Sequence, residues 1–272
     1  MGFLFLIHHI DNLSFFYNDL YFFHKSIKCT NNHLFDVSKY WYINFNIKKS
    51  NPYSNLRFFL NQREIVLSGL FDEVIERLKD NIVKNIPINS TILNTCCGEG
   101  SLLYKLYCLL PEYNYMGVDI SRTAIKLASK KFKNILWLVS NIENLNLKND
   151  SINLILNFLA PANYKEFSRV LRNDGYLFKI IPLENNFVEL RDVLLYKSNV
   201  NYKGLNIVEK IFSKRFVIND VVEFSYKKEI SKHLRDYLLR IISSIFNTQE
   251  NKIELLPKEI SIHLKLLIGI KK

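Results

Sequence analysis

Apolar positions along the chain change their period several times, and those changes divide it. Between residues 55 and 84 they recur at helical spacing, as Leu56, Phe59 and Leu60, then Ile65 and Val66, then Leu70, Phe71, Val74, Ile75 and Leu78. Gly69 falls between the last two groups and is expected to end one helix before the next begins. Short apolar runs then alternate with helical stretches, as a parallel sheet requires. Strands are predicted at 92–95, 115–118, 135–139, 152–157 and 176–181, with helices at 101–110, 121–130 and 164–171. Ser121 is placed to cap the second of these helices, and Asn173-Asp174-Gly175 to close the third in a left-handed turn. Beyond Pro182 the pattern predicts a helix over 187–197 and strands around an Asn219-Asp220 turn within 211–224. A basic amphipathic segment over 229–246 and a closing strand over 260–270 follow.

Residues 1–50 form a different block, with aromatic runs at 3–7 and 15–23 and a β-prone stretch, Tyr40-Trp41-Tyr42-Ile43-Asn44-Phe45. Pro52 and its polar neighbours mark a linker over 46–54. The opening MGFLFLI has no basic flank and is read as a strand, not a signal peptide. Cys29 and His33 stand at C-x3-H spacing, which suits half of a tetrahedral zinc site; no C-x2-C pair precedes them.

Composition sharpens this picture in two places. The formal charge of +11 favours a polyanionic partner, although a chain rich in Lys, Asn and Ile with only 8 Gly would carry such a bias without one. The 4 cysteines form no disulfide framework and no apolar run is long enough to span a bilayer, so a cytoplasmic protein is expected.

The chemistry concentrates in ILNTCCGEG, residues 92–100, and MGVD, residues 116–119. Strand, glycine turn, helix and second strand ending in an acid make half of a nucleotide-type unit. Gly98 and Gly100 allow close approach of a ligand, and Asp119 can accept from ribose hydroxyls. Neither register supplies the three glycines of G-x-G-x-x-G, which argues against a dinucleotide. A nucleoside ligand without phosphates, such as S-adenosylmethionine, asks less of the turn; the alternative is a turn that only packs strand on helix. Gln62, Arg63 and Phe71 precede the first strand and can fold over its C-terminal edge, Phe71 against an adenine ring or in the core. Asn157 lies at the same edge without an N-P-P-Y motif. Lys48, Lys49 and a basic face over 232–240 are candidates for RNA backbone, with Trp41 or Tyr42 for stacking.

With these residues placed, the chain resembles the bacterial ribosomal RNA large-subunit guanine-N1 methyltransferases of the RlmA type. The likeness runs in register from about Cys29 to Leu264. It takes in C-x3-H with LFD-x5-YIN, ILNTCCGEGS, YMGVDISRTAIKLASKKF, Ala160-Pro161, RVLRNDGYLF and the closing IHL. It implies a class I methyltransferase fold: a Rossmann-like, mostly parallel sheet with helices on both faces, plus a small N-terminal β-rich domain like a degenerate zinc ribbon. The implied organisation is a 1–50 rRNA-recognition domain, a 51–84 helical linker over the cofactor site, and an 85–272 catalytic domain. The implied reaction is methyl transfer from S-adenosylmethionine to ring nitrogen 1 of a guanine in a 23S rRNA hairpin, with a second copy of the chain as a further candidate partner. By position, Phe71, Gly98, Glu99, Gly100, Asp119 and Asn186 become cofactor contacts, and Cys29 and His33 two of four zinc ligands. The chain departs from that family where it has Asn94 for an acid, Cys96 for glycine, Phe71 for tyrosine and Asn186 for histidine, and it lacks the first zinc pair. Cys96 adds a side chain where the methionine end of the cofactor passes, so weakened binding is expected. The rival expectations are a class I enzyme acting on a small molecule and a non-catalytic RNA-binding remnant.

Overall fold

The computed structural model describes residues 20–23, 26–29, 34–45, 55–194, 205–246 and 257–272. Its centre is an eight-stranded sheet. From one edge to the other it runs β10 (Phe216–Glu229), β11 (Glu259–Lys271), β9 (Leu171–Pro182), β8 (Ile152–Phe158), β5 (Thr91–Thr95), β6 (Asn114–Asp119), β7 (Leu136–Val139) and β4 (Tyr42–Asn44). The pairs from β4 through β9 are parallel, while β11 joins β9 and β10 antiparallel. A separate three-stranded antiparallel sheet holds β1 (Leu20–Phe23), β2 (Ser26–Cys29) and β3 (Leu34–Asp36).

Successive residues of a strand face opposite sides, and the buried side chains sort accordingly. Ile92, Leu154, Leu156 and alternate β11 residues (Ile260, Ile262, Leu264, Leu266, Ile268) join one apolar layer. That layer includes side chains of α1 (Leu56–Leu67), α2 (Asp72–Asn85), α3 (Ser101–Leu109), α4 (Arg122–Lys131), α6 (Val188–Leu194) and α8 (Lys232–Phe246). Leu93, Met116, Val118 and Ile155 face the other layer, with α5 (Tyr164–Val170), α7 (Leu205–Phe212) and Ile27 of the small sheet. Helices therefore cover both faces of a class I methyltransferase-type α/β core.

Most predicted elements fall within a residue or two of the observed ones. Ser121 caps α4 by accepting from the Ala124 N–H, and Gly69 breaks α1 from α2 at φ +82°. Three expectations fail. No left-handed cap follows α5: Leu171 already pairs with Ile152, and 172–175 bulge out before pairing resumes at Tyr176 with Leu154, with Gly175 outside the positive-φ region. Asn219-Asp220 is no hairpin turn; β10 runs through it with a register shift between Ile218 and Asp220, and Ile211 lies in a helix. The 40–45 run is strand only at Tyr42–Asn44, since Trp41 sits at φ +66°. β4 pairs parallel with β7, so it extends the main sheet although it precedes the expected boundary at residue 50. The 3–7 and 46–54 segments, with Lys48 and Lys49, lie outside the described residues.

Candidate functional site

The parallel strands end along one edge, and there the turn after β5 folds back on itself. Cys96, Gly98 and Gly100 all take positive φ, at 54°, 57° and 84°. For the glycines this costs little, but for Cys96 it is a strained conformation, worth about 1 kcal/mol or more. The Cys97 N–H donates to the Val118 carbonyl at 3.0 Å. Behind the turn, Asp119 accepts from the Gly98 N–H at 2.9 Å and the Ser121 N–H at 2.8 Å. Burial pushes the Asp119 pKa up, opposed by the backbone N–H groups of Ser121, Gly98 and Ile120. A carboxylate has about four lone-pair sites, so these backbone donors leave it room for a further one.

Beneath the turn lies Trp137, fully buried, its indole N–H donating to the Phe132 carbonyl at 2.9 Å. A Cβ on Gly100 or on Gly117 would come within 2.3 Å of its ring. Both positions therefore need glycine for space, and Gly100 needs it for conformation as well.

Glu99 is bound within the protein. Arg63 of α1 donates to its Oε2 at 2.6 Å, while the Ser101 backbone N–H and hydroxyl both donate to Oε1. Glu99 is buried and Arg63 largely so, and the ion pair latches α1 over the turn. Next to Arg63, the Gln62 side chain lies over Gly98, where an added Cβ would meet its Oε1 at 2.5 Å.

In front of the turn opens a cavity of about 370 Å³, within the range of small-molecule sites. Gln62, Asn94, Cys96 and Glu99 line its polar end; Phe71, Phe158, Leu159, Phe187, Leu238 and Ile241 supply much of its apolar wall. Two acceptors at the polar end, Asn94 Oδ1 and Gln62 Oε1, are buried and have no hydrogen-bond partner. Unmet buried acceptors are costly, so this end is built for a ligand that brings donors.

Of the residues expected from sequence, Phe71, Glu99 and Asn186 line the cavity. Gly98 and Gly100 shape the turn, and Asp119 braces it from behind. Phe71 packs edge-to-face on Phe158 with ring centroids 5.2 Å apart, and Asn186 Oδ1 accepts from the His263 N–H at 3.1 Å. His33 and the Cys29 side chain lie outside the described residues. Among the described residues, no three or more His, Cys, Asp or Glu side chains gather as a metal site. Tyr42 is buried and offers no stacking face; Arg240 of the basic 232–240 face is paired with Asp236 at 2.9 Å.

Sequence reasoning missed a buried network at the same edge. Lys179 of β9 donates to Asn157 Oδ1 and to the Ala160 carbonyl. Asn157 donates to Thr95 Oγ1 and to the Pro161 carbonyl, each at 2.9 Å. Burial lowers the Lys179 pKa to about 8, with Cys96 a weaker opposing influence. The network joins the ends of β5, β8 and β9 and holds the turn where Leu159 takes φ +48°. The sequence signal was a lone lysine inside an apolar β-run, LFKII.

A methyltransferase-domain family profile matches residues 88–252, more than half of the chain. The chain belongs to the class I S-adenosylmethionine-dependent methyltransferases. It is 30% identical over 263 residues to the "Putative 23S rRNA (guanine-N(1)-)-methyltransferase YxjB" of Bacillus subtilis (strain 168), covering 91% of this chain and 92% of that protein. It is 24% identical over 174 residues to the 23S rRNA (guanine(748)-N(1))-methyltransferase of Streptomyces fradiae, 62% of each chain. Among solved structures, the MccD protein overlays with a TM-score of 0.50 at 18% identity, over 71% of this methyltransferase and 96% of that chain, a likeness of fold alone.

Proposed function

We propose that this methyltransferase moves a methyl group from S-adenosylmethionine to ring nitrogen 1 of a guanine in 23S rRNA. The observation that carries the reading is the pair of orphan acceptors, Asn94 Oδ1 and Gln62 Oε1, at the polar end of a cavity beside the glycine turn. A methionine ammonium has donors for both. The choice of guanine in rRNA rests on the Bacillus subtilis relative, which shares nearly its whole length with this chain.

In this reading Gly98 and Gly100 let the cofactor approach the backbone, and Asp119 takes ribose hydroxyls on its remaining lone pairs. Phe71 and Asn186 wall the cavity, and Glu99 works by fastening α1 through Arg63. When bound, S-adenosylmethionine supplies an electrophilic methyl group. The guanine must be unstacked to enter, and the apolar wall of Phe158, Leu159, Phe187 and Leu238 gives its ring a surface. Lys179 and Asn157 fix that wall by holding the Phe158–Pro161 turn, so their contribution is orientation. A protonated lysine has no acceptor, so Lys179 in that state does not take the proton that guanine nitrogen 1 must lose. The 1–50, 51–84 and 85–272 division, a zinc role for Cys29 and His33, a cytoplasmic setting and a homodimer belong to the same proposal.

The apolar lining also favours a second reading, a small-molecule acceptor. Tritiated-methyl transfer to 23S rRNA lacking the modification, followed by mapping of the labelled base, separates the two. Label on guanine nitrogen 1 supports the proposal; label at another atom, or on a small molecule alone, rejects it.

A further inference from the structure

Away from the cavity, three lysine side chains converge on one half-buried ring. Lys130, Lys39 and Lys126 place their ammonium groups 4.7, 5.2 and 5.8 Å from the centre of the Tyr40 ring. Lys126 and Lys130 stand four residues apart on α4, so they share one face, and Arg122 lies a further turn back on that face. Arg122 donates to the Tyr42 hydroxyl at 3.1 Å, which joins α4 to the edge strand β4. The run from Arg122 to Lys130 is about 12 Å long at helical rise. It begins at the strand edge that carries Asp119 and extends down the side of the molecule.

Like charges so close repel, and ordinarily a carboxylate would sit among them. Among the described residues, none pairs with Lys39, Lys126 or Lys130; the acid near this face is Asp36, which lies toward Arg122. Burial pushes the Tyr40 hydroxyl up, but the Lys130 and Lys39 charges outweigh it and the pKa falls below the ordinary phenol value. The face thus combines positive charge that no described acid pairs with and an aromatic ring, the two features that single-stranded nucleic acid uses for phosphate contact and base stacking.

We propose that Tyr40, Lys39, Lys126 and Lys130 form an RNA-docking surface that tracks the phosphate backbone of the substrate beside the catalytic edge. This rests on the rRNA reading above, and it takes the stacking role from Tyr42, whose ring is buried. On docking, the three ammonium groups move from the Tyr40 ring to the flanking phosphates, which frees the ring face they cover for a stacked base.

The test uses the full chain with Lys39, Lys126 and Lys130 all changed to Glu, and separately Tyr40→Ala. Fluorescence anisotropy follows labelled oligouridylate and labelled unmodified 23S rRNA across a salt series, and calorimetry follows S-adenosylhomocysteine as a check on fold and cavity. The charge-reversed protein is expected to bind both RNAs at least about tenfold more weakly, with a salt slope shallower by about 2, the loss of roughly three phosphate contacts. Tyr40→Ala is expected to weaken binding about fivefold with the salt slope kept, as loss of one stacked base predicts. S-adenosylhomocysteine binding should not change in either. Unchanged RNA affinity and slope in the triple variant overturn the proposal, as does wild-type binding to phosphatidylglycerol vesicles in preference to RNA. If the triple variant loses RNA binding while the wild type labels no RNA base, the docking surface stands and the guanine-methylation reading falls.

Discussion

Replacing Lys179 by Met tests whether the catalytic edge holds a buried charge. Methionine keeps the apolar stem and removes the ammonium. At neutral pH the cost of burying that charge disappears, but Asn157 Oδ1 and the Ala160 carbonyl lose their donor, worth about 1–3 kcal/mol each. The two effects oppose each other and overlap in size, so stability at one pH is uninformative and its pH dependence is what discriminates. The folded pKa is about 8 against an ordinary 10.5, a difference worth about 3 kcal/mol. Below 8 both folded and unfolded chains hold the proton and the penalty is complete. Between 8 and 10.5 the unfolded chain binds more protons, so stability rises with pH; above 10.5 both are neutral and the penalty is gone. Urea unfolding followed by tryptophan fluorescence, in which Trp137 is fully buried, gives the stability of each protein across this range. Wild type minus Lys179→Met should climb by about 3 kcal/mol from neutrality to pH 10.5, the tyrosines common to both cancelling. A flat difference would refute the reasoning.

Asn94→Asp puts a carboxylate at an orphan acceptor and should tighten S-adenosylmethionine about fivefold, as a charge-assisted bond in place of a neutral one predicts; calorimetry reads it. Arg63→Met leaves Glu99 buried without its cation and is expected to destabilise by about 3 kcal/mol in urea, with Glu99→Gln in the same chain restoring part of the loss. Cys96→Gly removes the strain at φ +54° and the side chain from the turn; thermal stability should move little, because added unfolded-state freedom offsets the gain, while S-adenosylhomocysteine binds several-fold tighter. Gly100→Ala drives a Cβ to 2.3 Å from the Trp137 ring and should cost about 2 kcal/mol or more of stability, visible as a lowered melting temperature.

The parts of the fold that were readable in the sequence are those set by local physics. The strand–turn–helix at 91–109 follows from an apolar run, two glycines and a helical repeat, and α4 begins where Ser121 supplies a cap. Turn chemistry misled where the sheet had more to offer. Asn173-Asp174-Gly175 and Asn219-Asp220 are turn-formers by residue type, and both mark breaks in register: 172–175 have no partner in the β8–β9 ladder and Asn219 none in β10–β11, so each interrupts a strand as a bulge without ending it. Three contacts that define the site join residues far apart in the chain. Arg63 reaches Glu99, Lys179 reaches Asn157, and Trp137 sits under Gly100. No periodicity encodes such pairs, because each depends on which strands become neighbours. The parallel pairing of β4 with β7 is of the same kind.

Those long-range contacts change how the departures at positions 94 and 96 are understood. Four charged groups surround the turn: Glu99 and Asp119 negative, Arg63 and Lys179 positive. Glu99 and Arg63 neutralise each other directly. Asp119 and Lys179 both act on the Cys96 thiol, whose pKa, driven up to about 12 first by burial and then by Asp119, is drawn back by Lys179. The formal sum of these four is zero, while Arg191 adds a positive charge to the cavity wall; at position 94 the ligand meets a neutral dipole. An acid at position 94 would make the sum −1 and attract the sulfonium and ammonium of S-adenosylmethionine, whose net charge is +1. Asn94 keeps the acceptor and gives up that attraction, and Cys96 narrows the space at the same point. In the proposed reading both changes act on cofactor affinity and leave intact the Lys179–Asn157–Thr95 network. Weakness in this enzyme should therefore appear in the concentration of S-adenosylmethionine needed for half-maximal rate, more than in the rate at saturation.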